Sequence, residues 1–299
     1  RASSRGYRAI EAQAAVERGI CLNLGEQLAA GRASIASGLR IATAAGFDTL
    51  RLRATGILAA AAAEGGDIAR AWKLQVEGLQ LFWSASFPPM RAYQFYTEMG
   101  SLAESSGQRF LAAALAREAA SAADRTGNRP TQSLAHFVLA SNLAEVPLPD
   151  EAAREFRTAR LMFDALPGTP GNRAFSAYAE LNRVELAGAG MDAQEALRSL
   201  DALRPVVKQL DNAPLAFRFF AVSGTAFMRG RRYDDARRDL EAALGYARQG
   251  LAALPAKSRD GDLWRERAVP IHRRLAELRL LSGDEPRQAL SQWMDGATP

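Results

Sequence analysis

The chain has 299 residues, 48% of them hydrophobic and 24% charged, with a formal net charge of +5, which is typical of a soluble protein with a large buried core. The one cysteine excludes an internal disulfide, so we expect a cytoplasmic protein. No run of residues approaches the roughly 18 consecutive apolar positions of a membrane-spanning helix, and we expect no membrane partner.

A short motif recurs along the chain at intervals close to the length of one helical hairpin. Its first three copies begin at Gly25, Gly66 and Gly107, which are separated by 41 residues each time, and each copy ends in an alanine. The alanines of the whole series are Ala30, Ala71, Ala112, Ala152, Ala196, Ala236 and Ala289. A repeat of this size is typical of solenoid proteins. Strand signals are nearly absent, so we predict an all-α fold.

The predicted elements form seven antiparallel helix pairs in chain order. Proline-containing segments at 88–89, 147–149 and 167–170 separate some of them. The pairs cover approximately residues 6–45, 48–84, 90–125, 130–166, 173–210, 214–254 and 263–294. We expect them to form one superhelical domain over residues 1–299, and we expect this chain to be a fragment of a longer bacterial protein.

The sixth pair shows most clearly which kind of repeat this is. Its large and small residues follow the order Phe220, Gly224, Phe227, Tyr233, Ala236, Leu240 and Ala243. This order resembles the tetratricopeptide repeat family, in which small residues let the two helices of a pair touch and let the next pair dock. The family repeat is about 34 residues long, so the longer period here indicates longer helices, similar to those of kinesin light chains and several bacterial signalling proteins.

The resemblance implies a right-handed α-solenoid of about seven antiparallel helix pairs with a period of about 41 residues. Two pairs depart from the family pattern. Val184 occupies the small position of the fifth pair, and Glu277 occupies that of the seventh. A regular arrangement of the helices is therefore less strongly predicted at these two pairs.

Few residues of this chain are candidates for chemistry. Aligned to the repeat, Cys21 faces the second helix of its pair, so we expect a buried structural cysteine. His136 takes the place of Phe220 and is expected to be a packed aromatic substitute, whereas His272 is expected on the solvated surface. No His, Cys or acidic residues have metal-ligand spacing, and no glycine-rich loop joins a strand to a helix. We predict no catalytic residue, cofactor or metal.

The resemblance also implies a binding surface. In the tetratricopeptide family the first helices of the pairs line a concave groove, and fixed positions of each first helix point into it. Carried over by repeat position, the groove residues of this chain are Arg53, Gln94, Thr97, Ser101, Glu104, Phe137, Tyr178, Leu181, Glu185, Arg218 and Met228. The predicted groove is polar in the third pair, with arginines near both ends of the series.

These features predict a non-catalytic protein–protein interaction scaffold, a sensor or adaptor that binds a peptide or protein segment in its groove. An alternative follows from the charge distribution, because residues 204–279 contain 16 Lys or Arg against 9 Asp or Glu. Such a basic C-terminal half is also suited to nucleic acid or to an acidic partner. A salt titration separates the two hypotheses, since phosphate contacts weaken steeply with salt.

The last helix, predicted over residues 285–294, carries Leu290, Trp293 and Met294. A terminal repeat normally presents a polar capping face, so this helix indicates a surface for self-association or for docking to a following domain. Residues 275–293 resemble the last repeat before the caspase-like protease of bacterial CHAT-domain proteins. That resemblance implies a catalytic domain beyond this chain, although the catalytic Cys and His of that family have no counterpart within it.

Overall fold

The computed structural model describes residues 7–255, 259–283 and 286–295. These residues form fourteen α-helices without any strand, and about 85% of the chain is helical. The helices are α1 (Arg8–Leu24), α2 (Leu28–Ala45), α3 (Asp48–Glu64), α4 (Ile68–Ser84), α5 (Pro89–Ser105), α6 (Arg109–Asp124), α7 (Arg129–Ala144), α8 (Pro149–Asp164), α9 (Pro170–Ala187), α10 (Ala193–Leu210), α11 (Ala213–Arg229), α12 (Tyr233–Ala252), α13 (Arg259–Leu281) and α14 (Pro286–Asp295). Residues 6 and 285, where the first pair and the last helix are predicted to begin, lie outside the described residues.

The helices follow the predicted order along the chain, and the all-α, tetratricopeptide-like fold class is confirmed. The chain divides into two compact units, a first unit over Arg1–Pro147 with α1 to α7 and a second unit over Leu148–Pro299 with α8 to α14. The single domain over 1–299 stays a prediction. No helix among the described residues is long and apolar enough to cross a membrane.

Three odd-numbered helices form a layer in each unit. In the first unit α3 contacts both α1 and α5, and in the second unit α11 contacts both α9 and α13. The even-numbered helices pack against these layers through contacts between neighbours along the chain. We call the surface formed by α1, α3 and α5 the odd-helix layer of the first unit.

Side-chain caps fix the beginnings of several helices. Asp67 accepts a hydrogen bond from the backbone N–H of Arg70 at the start of α4, and Asp192, Asn128 and Asn212 cap α10, α7 and α11 in the same way. Each cap satisfies an N–H group that has no partner inside the helix. Prolines occupy the first turns of α5, α7, α8, α9 and α11, where a missing N–H costs nothing.

Six of the seven predicted docking alanines are buried at the interfaces between helices: Ala71, Ala112, Ala152, Ala196, Ala236 and Ala289. Ala30 is exposed, and the residue buried in its place is Gly31. The reason is a shift of register in the first pair. The left-handed turn residue there is Glu26, with a φ of 61°, which corresponds to Gly66 with a φ of 80°. Gly25 therefore corresponds to Gly65, and the first interval is one residue shorter than predicted.

The expectation of a buried Cys21 is wrong, because this cysteine is exposed. The face of α1 that is buried consists of Ala12, Val16 and Gly19. A Cβ on Gly19 would lie 2.7 Å from the backbone oxygen of Gly31, so this face packs directly on α2. Cys21 follows Gly19 by two residues, which carries it about 200° around the helix. The thiol thus points away from α2.

The two pairs that depart from the family pattern are accommodated differently. Val184 is buried at its small position in the fifth pair. Glu277 is exposed, and its neighbour Ala276 is buried instead. The residues of α13 that pack inward therefore flank the predicted small position, at Leu275, Ala276 and Leu278.

The two histidines also differ from one another. His136 is largely buried, as predicted for a packed aromatic substitute, and its Nε2 lies 3.3 Å from Oδ1 of Asp124. His272 is partly buried rather than solvated, because Gln292 of α14 lies over it with 2.8 Å between Nε2 of Gln292 and Nδ1 of His272. Desolvation lowers the pKa of His272, although the charge of Asp295 opposes this change.

A buried glutamate ties three helices of the second unit together. Glu180 of α9 is only 2% exposed, and its carboxylate lies 2.8 Å from Nη1 of Arg160 on α8 and 2.8 Å from Nη2 of Arg183. Arg183 also donates to Oγ of Ser199 on α10. A buried carboxylate requires such partners, since an isolated charge is strongly disfavoured away from water.

Candidate binding surface

Three adjoining cavities open on the odd-helix layer of the first unit. The first and second, of about 450 and 540 Å³, share Arg53 and Arg91 in their walls. The second and third, the latter of about 300 Å³, share Ala60, Glu64 and Glu98. The cavities therefore form a continuous run, which we call the first-unit groove.

The predicted groove residues of the first unit are distributed unevenly over this surface. Four of them line the cavities: Arg53, Gln94, Thr97 and Ser101. Glu104 is exposed but lines none of the described cavities, and Phe137 of α7 is partly buried. The polar contribution expected from the third pair is thus concentrated on α5 at Gln94, Thr97 and Ser101.

Arg53 is held in the groove by a residue of the neighbouring helix. Its Nη1 lies 2.5 Å from Oε1 of Glu17 on α1. Gln13 donates a second hydrogen bond to the same Glu17 oxygen. The hydrogen bond from Arg53 lowers the pKa of the Glu17 carboxyl, and the charge of Arg53 and the bond from Gln13 add to this effect. The pair joins α1 to α3 at the floor of the first cavity.

Arg91, which sequence reasoning missed, supplies a second positive charge. Its Nη1 donates to Oε1 of Gln94 at 2.9 Å. Burial lowers the pKa of Arg91, and repulsion by the guanidinium of Arg53 lowers it further. The sequence signal for Arg91 is its position three residues before Gln94 on α5, which places the two side chains on one face of that helix.

Glu98, also missed, supplies a carboxylate between the second and third cavities. It fits there because residue 56 is glycine: a Cβ at Gly56 would lie 2.2 Å from Oε2 of Glu98. The side chain is open to solvent at the mouth of the groove, but the surrounding walls desolvate it and raise its pKa, while Arg91 opposes the rise. Its position four residues after Gln94 was the sequence signal for it.

The second unit brings three of its predicted groove residues together. Nη2 of Arg218 lies 2.9 Å from Oε2 of Glu185, and both side chains are well exposed. Burial raises the pKa of Tyr178, while the nearby charges of Arg218 and Arg267 oppose this rise. Met228 is partly buried and packs against the core of this unit. The exposed residues of this surface therefore already form an ion pair with each other.

Leu181 is a correction to the predicted groove. It has no exposed surface and belongs to the core cluster of the second unit with Leu200, Leu215 and Phe219. The position carried over from the family faces inward in α9, since the neighbouring buried residues of this helix are Ala177 and Val184, four residues before and three after Leu181. Leu181 contributes to packing and cannot contact a partner in this structure.

The arginines of the basic C-terminal half are largely engaged within the second unit. Arg204 pairs with the mostly buried Asp239 at 3.2 Å and lies over the ring of Phe219. Further ion pairs join Arg232 and Arg238 to Asp235 and Arg265 to Asp262. An arginine that neutralises a neighbouring carboxylate attracts phosphate less strongly than a free one. The alternative of a nucleic-acid or acidic partner is not favoured.

The last helix, α14, carries the three apolar residues for which a docking surface is predicted. Leu290, Trp293 and Met294 are each about half exposed, and the guanidinium of Arg273 lies 5.4 Å from the ring centre of Trp293. Self-association or docking at this helix stays a prediction.

In the described part of the chain, no group of three or more His, Cys, Asp or Glu residues could hold a metal ion.

Comparison with known proteins gave similarity at the level of structure alone. No family model and no curated protein sequence matches the chain. Among solved structures it is similar to BtubC (BKLC) from P. vanneervenii, with a TM-score of 0.56 and 16% identity over 85% of this chain and 94% of that one. A second similar structure, from P. anserina, is described as a kinesin light chain with nearly identical TPR-like repeats (TM-score 0.54, 15% identity, covering 66% of this chain and 94% of that one).

A third similar structure is the apo form of the quorum sensor NprR from B. thuringiensis, with a TM-score of 0.57 and 12% identity over 99% of this chain and 77% of that one. These identities are low, so the similarity shows the fold. It confirms the resemblance to tetratricopeptide-like repeat proteins, including kinesin light chains and bacterial signalling proteins. The resemblance to CHAT-domain proteins receives no support.

Proposed function

We propose that this chain is a non-catalytic interaction scaffold that binds an extended peptide or protein segment along the first-unit groove. The observation that carries the proposal is the continuity of the three cavities across α1, α3 and α5. Each has a volume in the lower part of the range of about 300–1,000 Å³ that is usual for ligand pockets. A run of such cavities fits successive side chains of one extended segment better than a single compact ligand.

The chemistry of the groove supports a polypeptide partner. Arg91, beside the Arg53–Glu17 ion pair, offers a positive charge at one end of the groove. Glu98 offers an unpaired carboxylate further along, and Ile57 and Ala60 add apolar walls. Mixed polar and apolar walls of this kind suit a chain that alternates side chains and backbone groups. A sensor or adaptor role agrees with the similarity to a quorum sensor, and the bacterial origin and cytoplasmic location remain part of this proposal.

A non-catalytic role agrees with the positions of the reactive side chains. The exposed Cys21 lies on α1, whereas the histidines lie on α7 and α13, beside Asp124 and Gln292. A thiol nucleophile needs an adjacent base to activate it. Neither histidine contributes to the walls of the three cavities.

The test is a selection of linear peptides from a random phage-displayed library against the full chain. We expect enriched peptides whose affinity falls on Arg91→Ala, since arginine side chains concentrate binding energy at interfaces and their loss typically costs about 1 kcal/mol or more. Equilibrium titration with the synthesised peptide measures the change. The matched control is Arg70→Ala, which removes an exposed arginine of α4 outside the three cavities.

Two outcomes would contradict the proposal. One is a selection that enriches no peptide over an uncoated surface. The other is a peptide that binds the Arg91→Ala and Arg70→Ala variants equally well, since it would then not run along the first two cavities, which Arg91 lines.

A further inference from the structure

We propose that the third cavity of the first-unit groove is a pocket for a basic side chain, arginine or lysine, of the bound segment. This inference rests on the proposed function and adds the chemistry of one contact to it. We call the cavity the acceptor pocket. Its polar lining is formed by Glu64, Gln75, Thr97, Glu98, Ser101 and Ser105.

The hydroxyl groups of this lining have already used their hydrogens. Thr97 donates from Oγ1 to the backbone oxygen of Tyr93 at 2.8 Å, and Ser101 donates from Oγ to that of Thr97 at 3.1 Å. Ser105 donates in the same manner to Leu102 at 3.0 Å. A hydroxyl has one hydrogen and two lone pairs, so each of these oxygens retains acceptor capacity only.

The lining also contains a buried amide whose oxygen has no partner. Gln75 of α4 is 2% exposed, and its Oε1 is fully buried without a hydrogen bond. Leaving such a group unpaired is costly, so an unpaired buried oxygen on a residue that lines an open cavity requires an explanation. A half-turn of the Gln75 amide exchanges its oxygen and its nitrogen, so that Oε1 faces the cavity and a donor that enters supplies the missing hydrogen bond.

The pocket also carries negative charge. Glu98 makes no hydrogen bond or salt bridge with any described residue, although the positive charge of Arg91 acts to lower its pKa. Glu64 adds a second, exposed carboxylate at the edge. The pocket therefore presents two carboxylates and several acceptors, while its remaining walls are alanines and Leu102.

These properties select the chemistry of the ligand group. A guanidinium or ammonium supplies several donors and a positive charge, and its methylene stem can pack along the apolar walls. Hydrogen bonds between charged partners are about twice as strong as neutral ones. An acidic side chain would meet two carboxylates and three hydroxyl oxygens whose hydrogens are already used, and it would be repelled.

The experiment uses the peptides selected against the full chain. We expect a basic residue to be enriched at one position of these peptides, and we expect its replacement by citrulline, which keeps the shape but not the charge, to weaken binding about tenfold or more. Glu98→Gln should weaken the arginine peptide by a similar factor and leave the citrulline peptide almost unaffected. Gln75→Leu should weaken it by a smaller factor.

The control variant is Glu77→Gln, which removes an exposed carboxylate from α4 outside the pocket and should leave the affinity unchanged. Three results would overturn the inference while the proposed function stood. They are selected peptides without a basic residue, selected peptides with an acidic residue at the enriched position, and peptides that bind wild type and Glu98→Gln with equal affinity. Failure to select any peptide would instead count against the proposed function. Spermidine, titrated alone, is expected to bind more weakly than the arginine peptide. If it binds more tightly, the pocket is a site for free polyamines and not for a peptide side chain.

Discussion

Replacing Gly224 by leucine is expected to lower the free energy of unfolding by about 1–3 kcal/mol or more, as overpacked cores do. Gly224 lies where α11 touches α12. A Cβ at this position would lie 2.6 Å from Cγ of Leu240, 2.8 Å from its Cδ2 and 3.3 Å from the backbone oxygen of Ala236. Leu240 is fully buried and has little room to move, so a larger side chain must push the two helices apart. Urea unfolding followed by circular dichroism measures the loss.

Gly100 provides the matched control, because it occupies the equivalent repeat position in α5. A Cβ at Gly100 would meet only Cβ of Leu115, at 3.7 Å, which is an ordinary contact. Gly100→Ala should therefore leave the protein as stable or raise its stability by up to about 1 kcal/mol, since alanine is the better helix former. An unchanged urea midpoint for Gly224→Leu would mean that the helix register described for α11 and α12 is wrong.

The second large effect is expected at Glu180, where removal of the carboxylate by Glu180→Ala should cost about 3 kcal/mol or more at neutral pH. The variant leaves the guanidinium groups of Arg160 and Arg183 close together without their shared partner. Glu185→Ala is the control on the same helix. Its salt bridge to Arg218 is exposed, and such pairs contribute about 0–1 kcal/mol. Equal losses in the two variants would contradict the buried ion-pair account.

The pH dependence of the Glu180 effect has a definite sign. Desolvation alone would raise the pKa of Glu180, but the hydrogen bonds and charges of Arg183 and Arg160 outweigh it and lower the pKa below its ordinary value of 4.5. The stabilisation is therefore present above the unfolded-state pKa and is lost as pH falls through the lower folded-state value. The difference in unfolding free energy between wild type and Glu180→Ala should shrink on acidification through that range.

The helical fold was predictable from the sequence because its determinants are local and repeated. Small residues such as Gly224 and Ala236 mark the contacts between helices, and one such pair per repeat is enough to define the hairpin. The first pair was misplaced by one residue because the doublet Gly65–Gly66 offers two glycines for alignment with Gly25. Only the backbone angle of Glu26 shows that a non-glycine residue forms the left-handed turn there. Cys21 was misplaced because it lies about 200° around α1 from Gly19, on the side away from the buried face of that helix.

The candidate site was less predictable, because repeat position specifies a helix face but not what each side chain contacts. Gln94, Thr97 and Ser101 line the cavities of the first unit and their role in binding stays a prediction, whereas Leu181, at a comparable family position, is buried by the large core of the second unit. Repeat position does not identify Gln75 as a residue of the groove. It lies on an even-numbered helix and reaches the groove from behind, through contacts between helices that sequence spacing does not encode.

The measurement that tests the central claim most directly is the affinity of a selected peptide for a variant whose groove is filled. Ala60 is exposed and lies in the wall that the second and third cavities share, so Ala60→Trp places an indole inside the groove without disturbing the core. The control, Ala114→Trp, adds the same group to an exposed position of α6 outside these cavities. We predict that Ala60→Trp weakens binding about tenfold or more and that Ala114→Trp leaves it unchanged. Undiminished binding to Ala60→Trp would show that the partner does not occupy the groove.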